Sequence, residues 1–423
     1  MDTMSGTVAD GVNLDDLDWW TRPAAERDAV FAYFRAFNPR PFFPEIDMDG
    51  STRGRGFTAI TRYADVQEIS RRPDDFRNGA GVNIFDQAES LREYLGSFIA
   101  MDNPEHARLR KIVSRGFTAK NMDLLRDRVA RTAREILRGL ADRGECDFVT
   151  DFAALLPLRV VNDMLGIPRE YEKMIFDCTN VVLGASDAEY VADQSGRGIA
   201  AGLMHAARSM SDLLDGLARE RIAHPKDDLI STLVAAGQEE NLTPAELASF
   251  FILLVGAGNE TTRNAIAHGL VALTQNPGQA DAWRADPAGL TPTAVEEIVR
   301  WASPVQYMRR TVTAGGVRLG EQEFAEGDKV VLWYRSANRD EDVFPAGDAF
   351  IVTRDPNPHV AFGAPGPHFC LGAHLARLEI GIAYRQIFAA LPDIHATCEP
   401  EYLRSNFIHG IKHLQAEFTP ASV

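Results

Sequence analysis

Cysteine is scarce in this chain: Cys146, Cys178, Cys370 and Cys398 stand far apart, with no C-x-x-C pair. That spacing excludes a disulfide framework and a zinc ribbon, and it fits a reducing cytoplasm. Long apolar runs are missing too. The longest, 250–257, has eight residues, where a membrane span needs about 20. Basic charge is in deficit, 44 Lys and Arg against 60 Asp and Glu for a net charge of −16, which argues against general nucleic-acid binding. Residues 1–20 hold no apolar core, so they do not read as a signal peptide, and 1–23 read as a loose acidic arm. No repeat, low-complexity tract or Ser/Gly linker marks a boundary inside 24–423, which reads as one unit.

What is present is ordinary globular composition, 45% hydrophobic and 25% charged. Apolar residues recur at three- and four-residue spacing over 24–37, 64–71, 104–116, 120–140, 152–165, 170–183 and 204–222, which predicts helices. Thr243-Pro244-Ala245-Glu246 is a capping box with proline at the first helical position. It opens an apolar stretch reaching about Gln275. A helix of some 30 residues would span about 45 Å, and one apolar nearly all round belongs in the centre of a fold. Another helix is predicted from Thr291-Pro292-Thr293 to Ser303-Pro304, and a last one over about 371–391. Short β-like runs fall at 305–307, 317–319 and 330–334, with 56–61 expected in a second small sheet. The fold class is mainly α with a minor β region.

Four constellations stand out. In Phe362-Gly363-Ala364-Pro365-Gly366-Pro367-His368-Phe369-Cys370-Leu371-Gly372, glycines and prolines make a rigid loop that a flat partner can approach closely. Cys370 precedes the final helix, whose free N–H groups and dipole favour a thiolate, so it reads as a nucleophile, a metal ligand or a packing residue. In Ala257-Gly258-Asn259-Glu260-Thr261-Thr262 an acid sits beside a hydroxyl in an apolar helix, and the Thr261 hydroxyl can bond a carbonyl one turn back to open a groove. Glu297 and Arg300 share a helix face, with Asn338-Arg339-Asp340 following. His106 and Arg110 also share a face, and Arg108, Lys111 and Arg115 make that helix a basic exception in an acidic chain.

The loop residues Phe362, Gly363, Gly366, His368, Cys370 and Gly372 closely resemble the cysteine loop of the cytochrome P450 family, with one extra residue between the two glycines. The four motifs also follow one another in that family's order, and the resemblance covers nearly the whole chain. It implies about a dozen helices around a buried haem b, with small sheets at one side. Cys370 would be the axial iron ligand, and Ala257, Phe362, Gly363 and Gly372 would touch the cofactor. His106, Arg110, Arg310 and His368 would take its propionates. Glu260 and Thr261 would bind O2 and pass protons to it, and Glu297, Arg300 and Arg339 would pin the region behind the loop. A monomeric monooxygenase is implied. Its electrons would come from a ferredoxin and an NAD(P)H-dependent ferredoxin reductase, with the ferredoxin docking on Arg108, Lys111 and Arg115.

Within the family, stretches 250–255, 293–304 and 407–412 resemble the methyl-branched-lipid ω-hydroxylases. Terminal hydroxylation of a branched fatty acid, isoprenoid or sterol side chain is therefore expected, the alternative being another apolar secondary metabolite. Leu254, Val255, Ala257, Val305, Phe407 and Ile408 are the expected channel walls. Two other classes remain: a zinc hydrolase using His368, Cys370 and His374, or a protein that binds haem or lipid without turnover.

Overall fold

The computed structural model describes residues 8–46, 54–86, 98–114, 119–240 and 242–421. Its helices are α1 (Ala24–Phe37), α2 (Tyr63–Ser70), α3 (Glu105–Ser114), α4 (Ala119–Arg138), α5 (Leu155–Leu165), α6 (Glu172–Gly184), α7 (Gly196–Ala223), α8 (Leu229–Glu240), α9 (Pro244–Gln275), α10 (Pro277–Ala285), α11 (Pro287–Ala302), α12 (Tyr334–Ala337) and α13 (Ala373–Ala390). The helix-rich fold class is as the sequence implies, and no described helix is long and apolar enough to cross a membrane.

The 32-residue α9 is the axis of the molecule. Its capping box forms: the Thr243 hydroxyl accepts from Glu246 N–H at 3.1 Å, and the Glu246 carboxylate accepts from Thr243 N–H at 2.8 Å. Helices α5, α6, α7, α11 and α13 pack around it, so most of its length is buried whatever the face. Leu270 and Leu273 join Ile298, Ile380 and Ile387 in one large core, while Phe250, Phe251 and Val255 join Leu213 and Ile230 in a second.

Four expectations need correction. Residues 14–21 are not a loose arm: Leu14, Trp19 and Trp20 are buried, and Trp20 stacks on Trp333 with centroids 5.1 Å apart. Two indoles carry too much apolar area to leave in water. The helix expected to begin near Thr291 begins at Pro287 instead, because the Asp286 carboxylate accepts from Gly289 N–H at 2.9 Å and takes the N-cap role. Phe57–Ile60 does not form a second sheet. It pairs in parallel with Lys329–Trp333, in a five-stranded sheet ordered Phe42–Phe43, Phe57–Ile60, Lys329–Trp333, Tyr307–Val312, Phe76–Arg77. The strand expected at 305–307 starts only at Tyr307, and Val305 makes a lone bridge with Ile408.

Candidate active site

A cavity of about 1540 Å³, its mouth included, lies between α9 and the 361–372 loop leading into α13. On α9 the wall is Leu253, Leu254, Ala257, Gly258, Thr261, Thr262 and Ala265, a stripe recurring every three to four residues as one helix face must. That periodicity decides two of the expected roles. Val255 falls off the stripe and is fully buried in core. Glu260, about 100° round from Thr261, also falls off it, and its carboxylate accepts from the buried Arg263 guanidinium and from Asn264 at 3.0 Å. Arg263 in turn donates to Asn180 of α6 at 2.8 Å. The acid and the alcohol are neighbours in sequence but occupy different faces. Thr261 does what its position predicts, donating its hydroxyl to the Ala257 carbonyl at 2.8 Å.

The opposite wall is the cysteine loop. Gly363 lines the cavity at φ +83, a conformation that favours glycine. Its N–H donates to Val360 O at 2.9 Å, and Cys370 N–H donates to Phe362 O at 2.8 Å, closing the loop on itself. Gly366 does a different job: a Cβ there would stand 2.3 Å from the Ser70 carbonyl of α2. Between them Ala364 turns inward and is buried beside Phe344 and Val360, so the additional residue is absorbed by packing, away from the cavity.

Cys370 lines the cavity with its side chain open to it. Burial in the fold pushes its thiol up; the Gly372 and Ala373 amides and the Arg110 charge pull it down without prevailing. The helix end alone therefore does not produce a free thiolate. A metal ion, which deprotonates a coordinating thiol outright, would. No group of three or more His, Cys, Asp or Glu among the described residues could hold a metal ion, so His368, Cys370 and His374 do not assemble the zinc site.

At one edge of the cavity basic groups gather. Arg110, Arg310 and His368 line it, and His106 stacks on His368 with centroids 4.1 Å apart. His106 is buried with neither ring nitrogen hydrogen-bonded. Burial, then Arg310, His106 and Arg110, push His368 down to about 3, and burial and Arg110 lower His106. The nearby carboxylate, Asp102, accepts from the Asn78 and Gly79 amides at 2.7 and 2.9 Å. Crowded cations and orphaned imidazole nitrogens call for an anionic partner. Haem answers that description: apolar over both faces, two carboxylates at one edge, and an iron that takes a thiolate.

Behind the loop, Glu297 and Arg300 are fully buried and joined by two hydrogen bonds of 2.7 Å. The third partner is Arg354, 3.1 Å from Glu297, and not Arg339. Arg339 instead lies 4.8 Å over the Trp301 ring and 3.5 Å from Asp28. No periodicity points to Arg354 in a chain where Arg309, Arg310, Arg318, Arg335 and Arg339 all lie nearer the motif. The basic face of α3 is also less open than expected. Arg108 is engaged with Glu246 at 2.5 Å, Arg110 donates to Phe369 O at 2.5 Å, and Arg115 lies outside the described residues.

Among the expected channel residues, Leu254, Ala257 and Val305 line the cavity. Phe407 packs edge-on against Tyr307 at 5.3 Å, and Ile408 is buried at its bridge with Val305. The wall is completed by residues the sequence did not single out, Phe98, Val299 and Met308 among them.

Comparison with known proteins gives the family. A cytochrome P450 family model matches residues 289–390. The methyl-branched lipid omega-hydroxylase of Mycobacterium tuberculosis (strain ATCC 25618 / H37Rv) is 46% identical over 412 residues, 96% of this chain and 94% of that protein. The steroid C26-monooxygenase of Rhodococcus jostii (strain RHA1) is 40% identical over 392 residues, 91% of this chain and 79% of that protein. A solved Mycobacterium marinum cytochrome P450, in complex with pseudoionone, superposes with a TM-score of 0.91 at 38% identity, covering 97% of this chain and 99% of that one. The chain belongs to the cytochrome P450 family. It is a haem-thiolate monooxygenase.

Proposed function

We propose that the enzyme hydroxylates the terminal methyl group of a methyl-branched lipid: a fatty acid, an isoprenoid or a sterol side chain. The observation carrying this reading is the wall above Cys370, where Phe98, Leu254, Ala257, Val299, Val305 and Met308 are apolar and Thr261 supplies a hydroxyl. Relatives named for branched-lipid and steroid-terminus oxidation support the same class.

Haem b, held through Cys370 and through Arg110, Arg310, His368 and His106 at its propionate edge, supplies the redox chemistry that activates O2. The chain's own residues decide what reacts. Primary C–H bonds are the hardest aliphatic ones to break, so terminal selectivity must come from positioning. Bulky side chains on α9 and at Val305 and Met308 exclude a chain laid sideways and admit its end. Thr261 holds a proton at Oγ1, now given to Ala257 O at 2.8 Å, and rotation about χ1 presents that proton to the cavity. Glu260 reloads Thr261 only after its pair with Arg263 opens, because the two side chains occupy different faces of α9. Electrons come from a ferredoxin and its NAD(P)H-dependent reductase in the cytoplasm, and the enzyme works as a monomer.

The test is product analysis after turnover with branched and straight-chain fatty acids and a sterol. Terminal alcohols from the branched substrates are expected. Hydroxylation mainly in mid-chain would overturn the positional reading and leave the monooxygenase assignment standing.

A further inference from the structure

Glu379 lies on α13, nine residues beyond Cys370, and is not one of the groups that hold the haem or handle oxygen. It lines the same cavity as Thr262 and Ala265 of α9. It is 1% exposed, and neither carboxyl oxygen has a hydrogen-bond partner. A buried ionised carboxylate without a partner is costly, so such a group stays protonated. Burial, with no opposing charge, pushes this carboxyl up to about 8.

No other charge satisfies it. On its own helix Arg377 is held by Glu296 at 2.5 Å, and the Tyr384 hydroxyl donates to Ile266 O at 2.6 Å. From α11, Glu296 also takes His359, and Glu297 is closed by Arg300 and Arg354. From α9, Glu260 is closed by Arg263, and His268 stacks on His409 at 3.9 Å. The charged residues of α4 from Arg126 to Arg138 are all exposed.

We infer that Glu379 is a proton-loading site coupled to electron arrival in this cavity. One electron from an external reductant adds one negative charge to the pocket, which raises the proton affinity of a carboxylate sharing the same low-dielectric interior. One proton then moves from solvent to a Glu379 carboxylate oxygen and forms its O–H bond, so charge balances one for one. Below the oxidised-state pKa both redox states are protonated and nothing moves. The uptake window opens near pH 8 and extends upward. His368, at about 3, and the lowered His106 are neutral throughout that window, and Tyr334, raised above its usual value, keeps its proton through the opening of the window.

The experiment measures the midpoint potential of the haem-loaded enzyme against pH from 6 to 10, with dithionite as the reductant. In the wild type the potential is level to about pH 8, then falls with a slope approaching 59 mV per tenfold change in proton concentration. Glu379→Gln, an isostere of the protonated acid, removes that fall. A level wild-type profile, or an undiminished slope in E379Q, overturns the inference. Should E379Q fail to load haem, Glu379→Asp replaces it. Its fall moves along the pH axis if residue 379 is the site, and an unmoved profile overturns the inference. The inference rests on haem occupying the cavity, which the reduced carbon monoxide spectrum of the same sample reports independently. Reduced-minus-oxidised infrared spectra above pH 8 gain a protonated-carboxyl band in the wild type and not in E379Q.

Discussion

Exchanging the expected partner of Glu297 for the observed one is measurable. Arg354→Ala removes a guanidinium 3.1 Å from a fully buried carboxylate. Stripping a buried charge of its partner costs about 3–5 kcal/mol. Glu297 is only half-stripped, because Arg300, the Ile351 amide at 2.8 Å and Asn357 at 3.1 Å remain. The carbonyls of Pro345 and Ala346 that Arg354 also serves are near the surface and can take water instead. The net expectation is a loss of about 2–3 kcal/mol. Arg339→Ala removes the stacking on Trp301 and a 3.0 Å bond to Trp301 O. It also relieves repulsion, since burial and then Arg335 already push Arg339 down to about 9; about 1 kcal/mol is expected. Double-mutant cycles with Glu297→Gln, read from urea midpoints, separate the two. Coupling of about 1.5–3 kcal/mol is expected with Arg354 and within about 0.5 kcal/mol of zero with Arg339. The reverse pattern would refute the geometry on which the reasoning stands.

Cys370→Ala should lose the thiolate-type carbon monoxide spectrum and all turnover, and retention of either would sink its role as the iron ligand. Thr261→Ala should load haem normally but divert reductant to peroxide, and an unchanged ratio of product to reductant consumed would count against a proton role. Glu260→Gln should instead cost stability, about 3–5 kcal/mol, by leaving the buried Arg263 charge without its carboxylate and with only neutral acceptors, so equal melting temperatures for the two variants would contradict their placement on separate faces. Gly366→Ala should lower the melting temperature by several degrees, because its Cβ meets the Ser70 carbonyl. In the haem-free protein Gly372→Ala should change it little, with open space around that position; a larger loss at 372 would reverse the account of the loop.

Local signals were legible and distant ones were not. The capping box at Thr243 fixed where α9 begins because both halves of the reciprocal bond lie only three residues apart. The cysteine loop was legible for the same reason, its closing bonds joining residues within ten positions. Glu260 misled because adjacency in sequence looks like adjacency in space, while a helix turns neighbours about 100° apart. Trp19 and Trp20 misled because an acidic flank hid two indoles whose partner, Trp333, is some 300 residues away. Arg354 and Glu379 carry no pattern at all. One is defined by a partner about 57 positions upstream, the other by having none.

The parallel pairing of Phe57–Ile60 with Lys329–Trp333 also sets a timetable for synthesis. A ribosome adding about 5–20 residues per second needs roughly 14–54 seconds to make the 272 positions from Phe57 to Lys329. Throughout that interval the early strand has no neighbour on its inner edge, and Trp20 lacks the Trp333 face it will cover. Pairing of such high sequence separation is intrinsically slow and leaves apolar surface exposed to other chains. The first sixty residues are therefore where a nascent-chain chaperone has most to hold, and where high expression rates should first show as insoluble protein.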